Sequence, residues 1–440
     1  MTETGAATSA PLVNDAVAPL YRRWRVRIFA VTWIAYAGFY FTRQAFSVAK
    51  VGILDDPAVN LTLTKAMLGN LDALYLAAYA VGQFMWGTLA DRFGPRVVLL
   101  GGLLMSAVAA ALLGVVSALV LFAPLMIVQG LAQSTGWSSL CKNVAQFFAV
   151  RERGRVLGLW STNYAFGGLV AGPFVGWVAY GIFDNWRAAF LAGAAVVVVV
   201  FALVAMLQRN RPVDVGLPPV EEFIGEPTAG AVDSRPHPPR SVREAFMAAV
   251  RDRMVLTLGV AYFLLKPARY AILLWGPVIV VERIPEAGLL EAVVIPVAFG
   301  AAGLIAPILV GLVSDKLFSA RRVPPAVLSL LGLVAVLVLF EPLTASGNVV
   351  LMVVLLALIG LTVYAADAMI SCVCAVDFGT SEHAGASAGF VNGCGSVGAI
   401  LGGLLPGYLS TGSLFYGFAG AALVAAVLLA PRWNSRPAAA

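Results

Sequence analysis

The sequence predicts an all-α polytopic membrane protein, with twelve transmembrane helices in two pseudo-symmetric six-helix halves. Three observations lead there. Of its 440 residues, 60% are hydrophobic and only 12% charged, and mean hydropathy is +0.89; a soluble chain carries about 25% charge. The apolar runs continue over roughly twenty residues, enough to cross a hydrocarbon core, whereas a closed barrel would show short alternating strands. The chain also echoes itself. GTLADRFGPR starts at Gly87 and GLVSDKLFSARR at Gly311, so 311 − 87 = 224, as expected of parallel halves related by an axis along the membrane normal.

The spans are expected at 27–49, 67–90, 96–116, 118–148, 155–181, 187–208, 254–282, 289–312, 323–341, 347–376, 384–409 and 413–431. Residues 1–26 read as a cytoplasmic tail without a cleavable leader, because 1–20 are small and polar and the first apolar run is long enough to span. Residues 27–208 form the first half and 254–431 the second. The Pro-, Gly- and charge-rich stretch 209–253 reads as a solvated linker, and 432–440 as a second tail. Lys and Arg gather on one side: Arg22 to Arg27 before helix 1, Arg92 and Arg96 after helix 2, Arg151 to Arg155 after helix 4, Lys316 to Arg322 after helix 8. The positive-inside rule then places both termini and the linker in the cytoplasm, in a bacterial-type inner membrane. The net charge of +6 reflects these loops, and no basic-aromatic motif for nucleic acid appears.

Cys141, Cys372, Cys374 and Cys394 all fall in spans without metal-ligand spacing and read as small packing residues. His237 and His383 lie in loops, so no histidine proton relay is expected in the spans. No nucleophile–base constellation and no phosphate-cradling Gly-rich loop with Lys-Ser/Thr occurs, which argues against an enzyme or ATP-driven pump. No cofactor is expected.

Arg43 and Arg269 are the most informative residues. Each lies 16 residues beyond the last arginine of a basic flank, Arg27 and Arg253, and 269 − 43 = 226 nearly repeats the offset above. At about 1.5 Å per residue that is roughly 24 Å of helix, deep in the bilayer. A guanidinium stays charged there and needs a partner or a watery cavity. Its fork suits phosphate or carboxylate. Two such groups, one per half, suggest an anion held between the halves.

The segment GTLADRFGPR resembles the loop 2–3 signature of the major facilitator superfamily, which implies the major facilitator fold. YAGFYFTRQAFSVAK, GLAQSTGWSSLCKNVAQFFAVRERGRVLGLWST, DNWRAAF, DVGLPPVEEF and RYAILLWGP resemble the organophosphate:phosphate antiporter family, and LDALYLAAYAVGQF its eukaryotic sugar-phosphate exchanger branch. The resemblance covers about residues 25 to 425. It implies exchange of glycerol-3-phosphate, sugar phosphate or phosphoglycerate for inorganic phosphate by rocker-switch alternating access. The phosphoryl group would lie on Arg43 and Arg269, beside Tyr36, Tyr40 and Tyr270. It further implies that Asp91, Arg92 and Arg96, with Asp315 in the weaker echo, form a cytoplasmic gate. The sequence departs from bacterial glycerol-phosphate members at three positions: Gln83 replaces a helix 2 lysine, Tyr164 a helix 5 histidine, and Lys266 a tyrosine. These departures motivate a rival reading, export of a phosphonate, phosphorylated antibiotic or other organic anion. Some relatives are receptors for sugar phosphates, which is a second rival. A monomer is expected, since one chain would hold a complete site.

Other residues read in more than one way. Lys266 binds a second anionic group or pairs with an acid. Lys142 contacts substrate or snorkels to the cytosol. Lys50, at the outer end of helix 1, reads as an interfacial lysine more than as an anion-steering group. Asp72 and Asp367, the acids within spans 2 and 10, read as releasable salt-bridge partners, as proton carriers or, for Asp72, as a helix–helix hydrogen bond. Pro267 is expected to break the local helix ladder and kink helix 7. Trp137 and Trp160 read as packing residues.

Overall fold

A computed structural model describes residues 17–224, 251–318, 321–374 and 384–435. Within these residues twelve helical spans follow one another. The first half holds α1 (Ala18–Asp55), α2 (Lys65–Phe93), α3 (Pro95–Val115), α4 (Phe122–Phe147), α5 (Val150–Trp160, then Thr162–Gly176) and α6 (Arg187–Leu207). The second holds α7 (Arg253–Arg283), α8 (Leu289–Val294, then Val297–Leu317), α9 (Val323–Thr344), α10 (Val349–Ala368), α11 (Ala384–Leu404) and α12 (Thr411–Leu429). Ten of them are long and apolar enough to cross a membrane. The other two, α1 and α2, have the length but are less apolar. They carry Arg43, Gln44 and Lys50, and Asp72 and Gln83.

Local chemistry sets the ends. Thr64 caps α2 by accepting from Met67 N, Asp252 caps α7 through Met254 N and Val255 N, and Asn348 caps α10 through Leu351 N. Gly94, at φ 83°, turns the chain between α2 and α3 in a conformation that favours glycine, and Pro95 opens α3.

Several expectations need correction. Helix α1 begins at Ala18, so the arginine-rich flank assigned to the tail is helical. The span expected at 155–181 starts at Val150, is interrupted at Ser161 and ends in a π turn, Trp177–Ile182. Ser161 and Thr162 hydroxyls donate back to the Gly158 and Leu159 carbonyls, offering the chain an alternative to the helical ladder. Helix α7 runs on through Pro267 and Pro277, so the ladder hydrogen bond that each proline lacks does not end the helix. The start of the linker is docked, not solvated. Asn143 Nδ2 donates to the Arg209 and Asn210 carbonyls at 2.7 and 3.0 Å, and Phe223 stacks on Tyr21 at 4.2 Å. His237 and His383 lie outside the described residues, as do the side chains of Cys372 and Cys374.

The two halves meet at one end, through α1 with α7, α2 with α11 and α5 with α8. That end carries the arginine-poor loop 56–64. Bonds across the seam there include Lys65 with Glu282, Lys50 Nζ to the Leu274 carbonyl at 3.0 Å, and Tyr408 OH to Asn70 at 2.9 Å. Close approach needs glycine: a Cβ on Gly403 of α11 would sit 2.9 Å from the Cβ of Asp72 and from a Leu76 methyl of α2. The largest buried apolar cluster crosses the seam here, joining Phe46, Leu71 and Leu76 to Leu265, Ile272 and Trp275.

Candidate functional site

Arg43 is 8% exposed and turns into its own half. Its Nε–H donates to Gln133 Oε1 of α4 at 2.9 Å, and the same oxygen accepts from Tyr75 OH of α2 at 2.6 Å. Gln133 Nε2 donates to Thr42 at 3.1 Å, Thr42 bonds Ser106 at 2.9 Å, and Gln129 donates to Ser106 at 3.0 Å. The guanidinium lies over Tyr40 and Tyr79, 4.7 and 5.0 Å from the ring centroids. Among the described residues no carboxylate pairs with it. A neutral network therefore holds this cation in place and leaves its charge uncompensated.

Arg269 has the opposite arrangement. Its Nη1 donates to Asp367 Oδ2 at 2.9 Å, Lys266 Nζ is 3.4 Å from Oδ1, and Tyr262 OH donates to Oδ1 at 2.9 Å. The Tyr364 ring lies under the guanidinium at 4.5 Å, and Arg269 Nε is buried without an acceptor among the described residues. Of the readings of Lys266 and Asp367, the structure realises the ion pair. Arg269 lines an open chamber between α1, α5, α7, α8 and α10, together with Tyr40, Gln44, Tyr164 and Tyr364 among others. The two sites adjoin: Tyr40, whose ring lies against Arg43, lines the same chamber as Arg269.

The remaining sequence-derived residues divide. Tyr36 is buried against Trp137 and Trp160, with centroids at 5.3 and 5.9 Å; Trp160 is fully buried and Trp137 37% exposed. Tyr270 flanks Lys266, and Tyr164 lines the chamber. Gln83 is half-buried on α2, one turn beyond Tyr79, and lines neither the chamber nor the smaller cavity around Arg43. Lys142 lies in a separate cleft with Arg92 and Arg211 at the arginine-rich end, so the structure does not bring it to the arginine pair. Arg96 bonds Asn210 and the Ala205 carbonyl, and Asp315 accepts from Arg322 at 2.6 Å, all within one half. The Asp91 side chain lies outside the described residues.

Lys50 requires the largest correction. It is fully buried rather than interfacial, paired with Asp72, bonded to the Leu274 carbonyl and placed 4.2 Å from the Trp275 ring. The physical reason is that α1 continues to Asp55 while α7 packs over it, so only a paired lysine is tolerated there. Sequence reasoning also missed Gln133, Gln129, Tyr75 and Tyr79. Their signal was present as polar and aromatic residues at i, i+4 spacing inside apolar spans.

The family model of the Major Facilitator Superfamily matches residues 32–399. The chain is 27% identical over 429 residues to the glycerol-3-phosphate transporter of Bacillus subtilis (strain 168), covering 94% of each chain. It is 29% identical over 444 residues to the membrane sensor protein UhpC of Escherichia coli (strain K12), covering 98% of each. Among solved structures, the D-xylose-proton symporter aligns with a TM-score of 0.67 at 17% identity, covering 94% of this chain and 98% of that one.

Proposed function

The chain belongs to the Major Facilitator Superfamily, membrane transporters and not enzymes, and from that premise we propose that it exchanges an organic phosphate for inorganic phosphate. One observation carries the reading: α1 and α7, which pack together across the seam, each bring a membrane-embedded arginine to the same place, Arg43 lying over Tyr40 and Arg269 lining the chamber that Tyr40 also lines. The formal charges fit. Arg43 contributes one positive charge, and Arg269 with Lys266 against Asp367 contributes a second, which together match a dianionic phosphate. The likeness to a glycerol-3-phosphate transporter supports the substrate class.

With the arginine-rich loops cytoplasmic, the seam is closed on the outer side and the state is inward-facing. Phosphate entering from the cytosol reaches the chamber at Arg269, next to Arg43, for which no carboxylate among the described residues competes. Arg269 then exchanges Asp367 for the anion. Filling the site neutralises two like charges in a low-dielectric seam, and this lowers the barrier to rocking the halves. An empty site resists closure, so transport is obligatory exchange. Asp91, Arg92, Arg96 and Asp315 would form the inner gate once the halves close there.

The test is uptake of radiolabelled phosphate into liposomes preloaded with phosphate. Wild-type protein is expected to exchange, and Arg43→Lys and Arg269→Lys each to lose about 100-fold or more, since lysine cannot reproduce the bidentate fork. Phosphate binding without exchange would instead select a sensor, the reading that the similarity to UhpC along its whole length favours.

A further inference from the structure

We propose that Gln44 reads the organic part of the substrate, by hydrogen bonding a hydroxyl on the carbon chain of a phosphomonoester. This rests on the anion-binding reading above and goes beyond it by naming a group that separates one ester from another. Gln44 follows Arg43 directly, and about 100° of helical rotation separates their side chains. Arg43 turns toward α2 and α4, whereas Gln44 lines the chamber beside Arg269.

The state of its amide is the main observation. Gln44 is 7% exposed, yet no hydrogen bond joins its side chain to any of the described residues. Buried amides that hold helices together in a membrane are bonded across the interface, and a buried polar group without a partner calls for an explanation. Nor is the amide fully occluded; the surface it keeps faces the chamber. Tyr40, one turn earlier on the same face, is in the same condition at 7% exposure, its hydroxyl likewise bonded to none of the described residues. Two unspent polar groups one turn apart, next to a guanidinium, form a polar strip in a chamber whose facing helices also supply Ile272, Val293 and Val297. Space for carbon is provided opposite. A Cβ on Gly172 would meet nothing within 4 Å, and one on Gly168 meets only Tyr40, at 3.7 Å. A phosphate on Arg269 would thus direct its ester carbons along Gln44 and Tyr40.

The test compares binding of glycerol 3-phosphate with n-propyl phosphate, which has the same charge and chain length and no hydroxyl, to the purified full-length protein. Inorganic phosphate serves as the reference probe. Wild type is expected to prefer glycerol 3-phosphate about tenfold or more, as loss of one hydrogen bond to a buried amide predicts. Gln44→Leu should bring that ratio to within about twofold, weakening glycerol 3-phosphate more than inorganic phosphate. Gly172→Val, which adds volume where nothing clashes, should weaken glucose 6-phosphate more than inorganic phosphate. Binding of inorganic phosphate without discrimination between the two esters, or a ratio kept by Gln44→Leu, overturns the role of Gln44 alone. Failure of inorganic phosphate to bind at all overturns the anion site and this role together.

Discussion

The two halves repeat a backbone and place different charges on it. An offset of 226 aligns α1 with α7, so Tyr36, Tyr40, Arg43 and Lys50 correspond to Tyr262, Lys266, Arg269 and Gly276. Helices α2 and α8 align at 224, which matches Asp72 with Pro296 and Tyr75 with Phe299. Helices α4 and α10 align at 230 through Gly130 and Gly360, whose Cβ positions would meet the Tyr75 and Phe299 carbonyls respectively. The contacts confirm these equivalences. Tyr36 packs on Trp137, and Tyr262 bonds Asp367, the residue matching Trp137. Where the first half has the buried Lys50–Asp72 pair, the second has Gly276 against Pro296, 2.9 Å from an added Cβ. Among the described residues, Asp72 in the first half is fully buried and Asp367 in the second is 13% exposed, and the two acids are used differently. Asp72 neutralises Lys50 and leaves Arg43 free of a counter-charge, whereas Asp367 sits on Arg269 itself.

The most severe way to break this asymmetry is at Lys50. Lys50→Met leaves Asp72 buried and unpaired, and is expected to lower unfolding stability by about 3–5 kcal/mol. The pair Lys50→Met with Asp72→Leu, apolar as in the second half, should recover most of it. Thermal unfolding in detergent reads the difference, and equal losses in single and double variants would show that packing, not charge, governs this site. The next effect comes from exchanging the partners of the arginines. Gln133→Glu gives Arg43 the competing carboxylate that Arg269 already has, and should weaken phosphate binding about 10- to 100-fold, as a charged hydrogen bond of about 1.5–3 kcal/mol predicts. Asp367→Asn should move phosphate affinity the other way. Calorimetric titration with phosphate checks both, and shifts of the same sign would refute the view that Asp367 competes with the anion.

The sequence exposed the arginines because a charge in a long apolar run stands out, and the paired offsets tied them to two halves. The ends of α1 and α5 were less legible. A helix continued by arginines looks like a loop to a hydropathy reading, and a break set by Ser161 and Thr162 hydroxyls leaves no polar gap. Lys50 was misread because a lysine near a helix end has the same sequence signature whether water or a neighbouring helix covers it. Only the placement of Asp72 and Leu274 around it decides. The signal of Gln133 is visible but not decisive: an amide in an apolar span has many uses, and the choice of Arg43 as its partner is made by the crossing of α4 over α1.

The smallest effect separates the orienting tyrosines. Tyr75 donates to the neutral oxygen of Gln133, and Tyr262 to the carboxylate of Asp367. Hydrogen bonds to neutral acceptors contribute about 0.5–1.5 kcal/mol and those to charged ones about 1.5–3 kcal/mol. Tyr75→Phe should therefore raise the KM for phosphate only a few-fold, by loosening Gln133 and with it the aim of Arg43. Tyr262→Phe removes a donor that helps hold Asp367 in place, so the carboxylate presses harder on Arg269 and Lys266, and a larger rise is expected. If the two substitutions raised KM equally, the tyrosines would be serving as matched ring contacts, and the electrostatic difference between the halves would end at the arginines and their immediate partners.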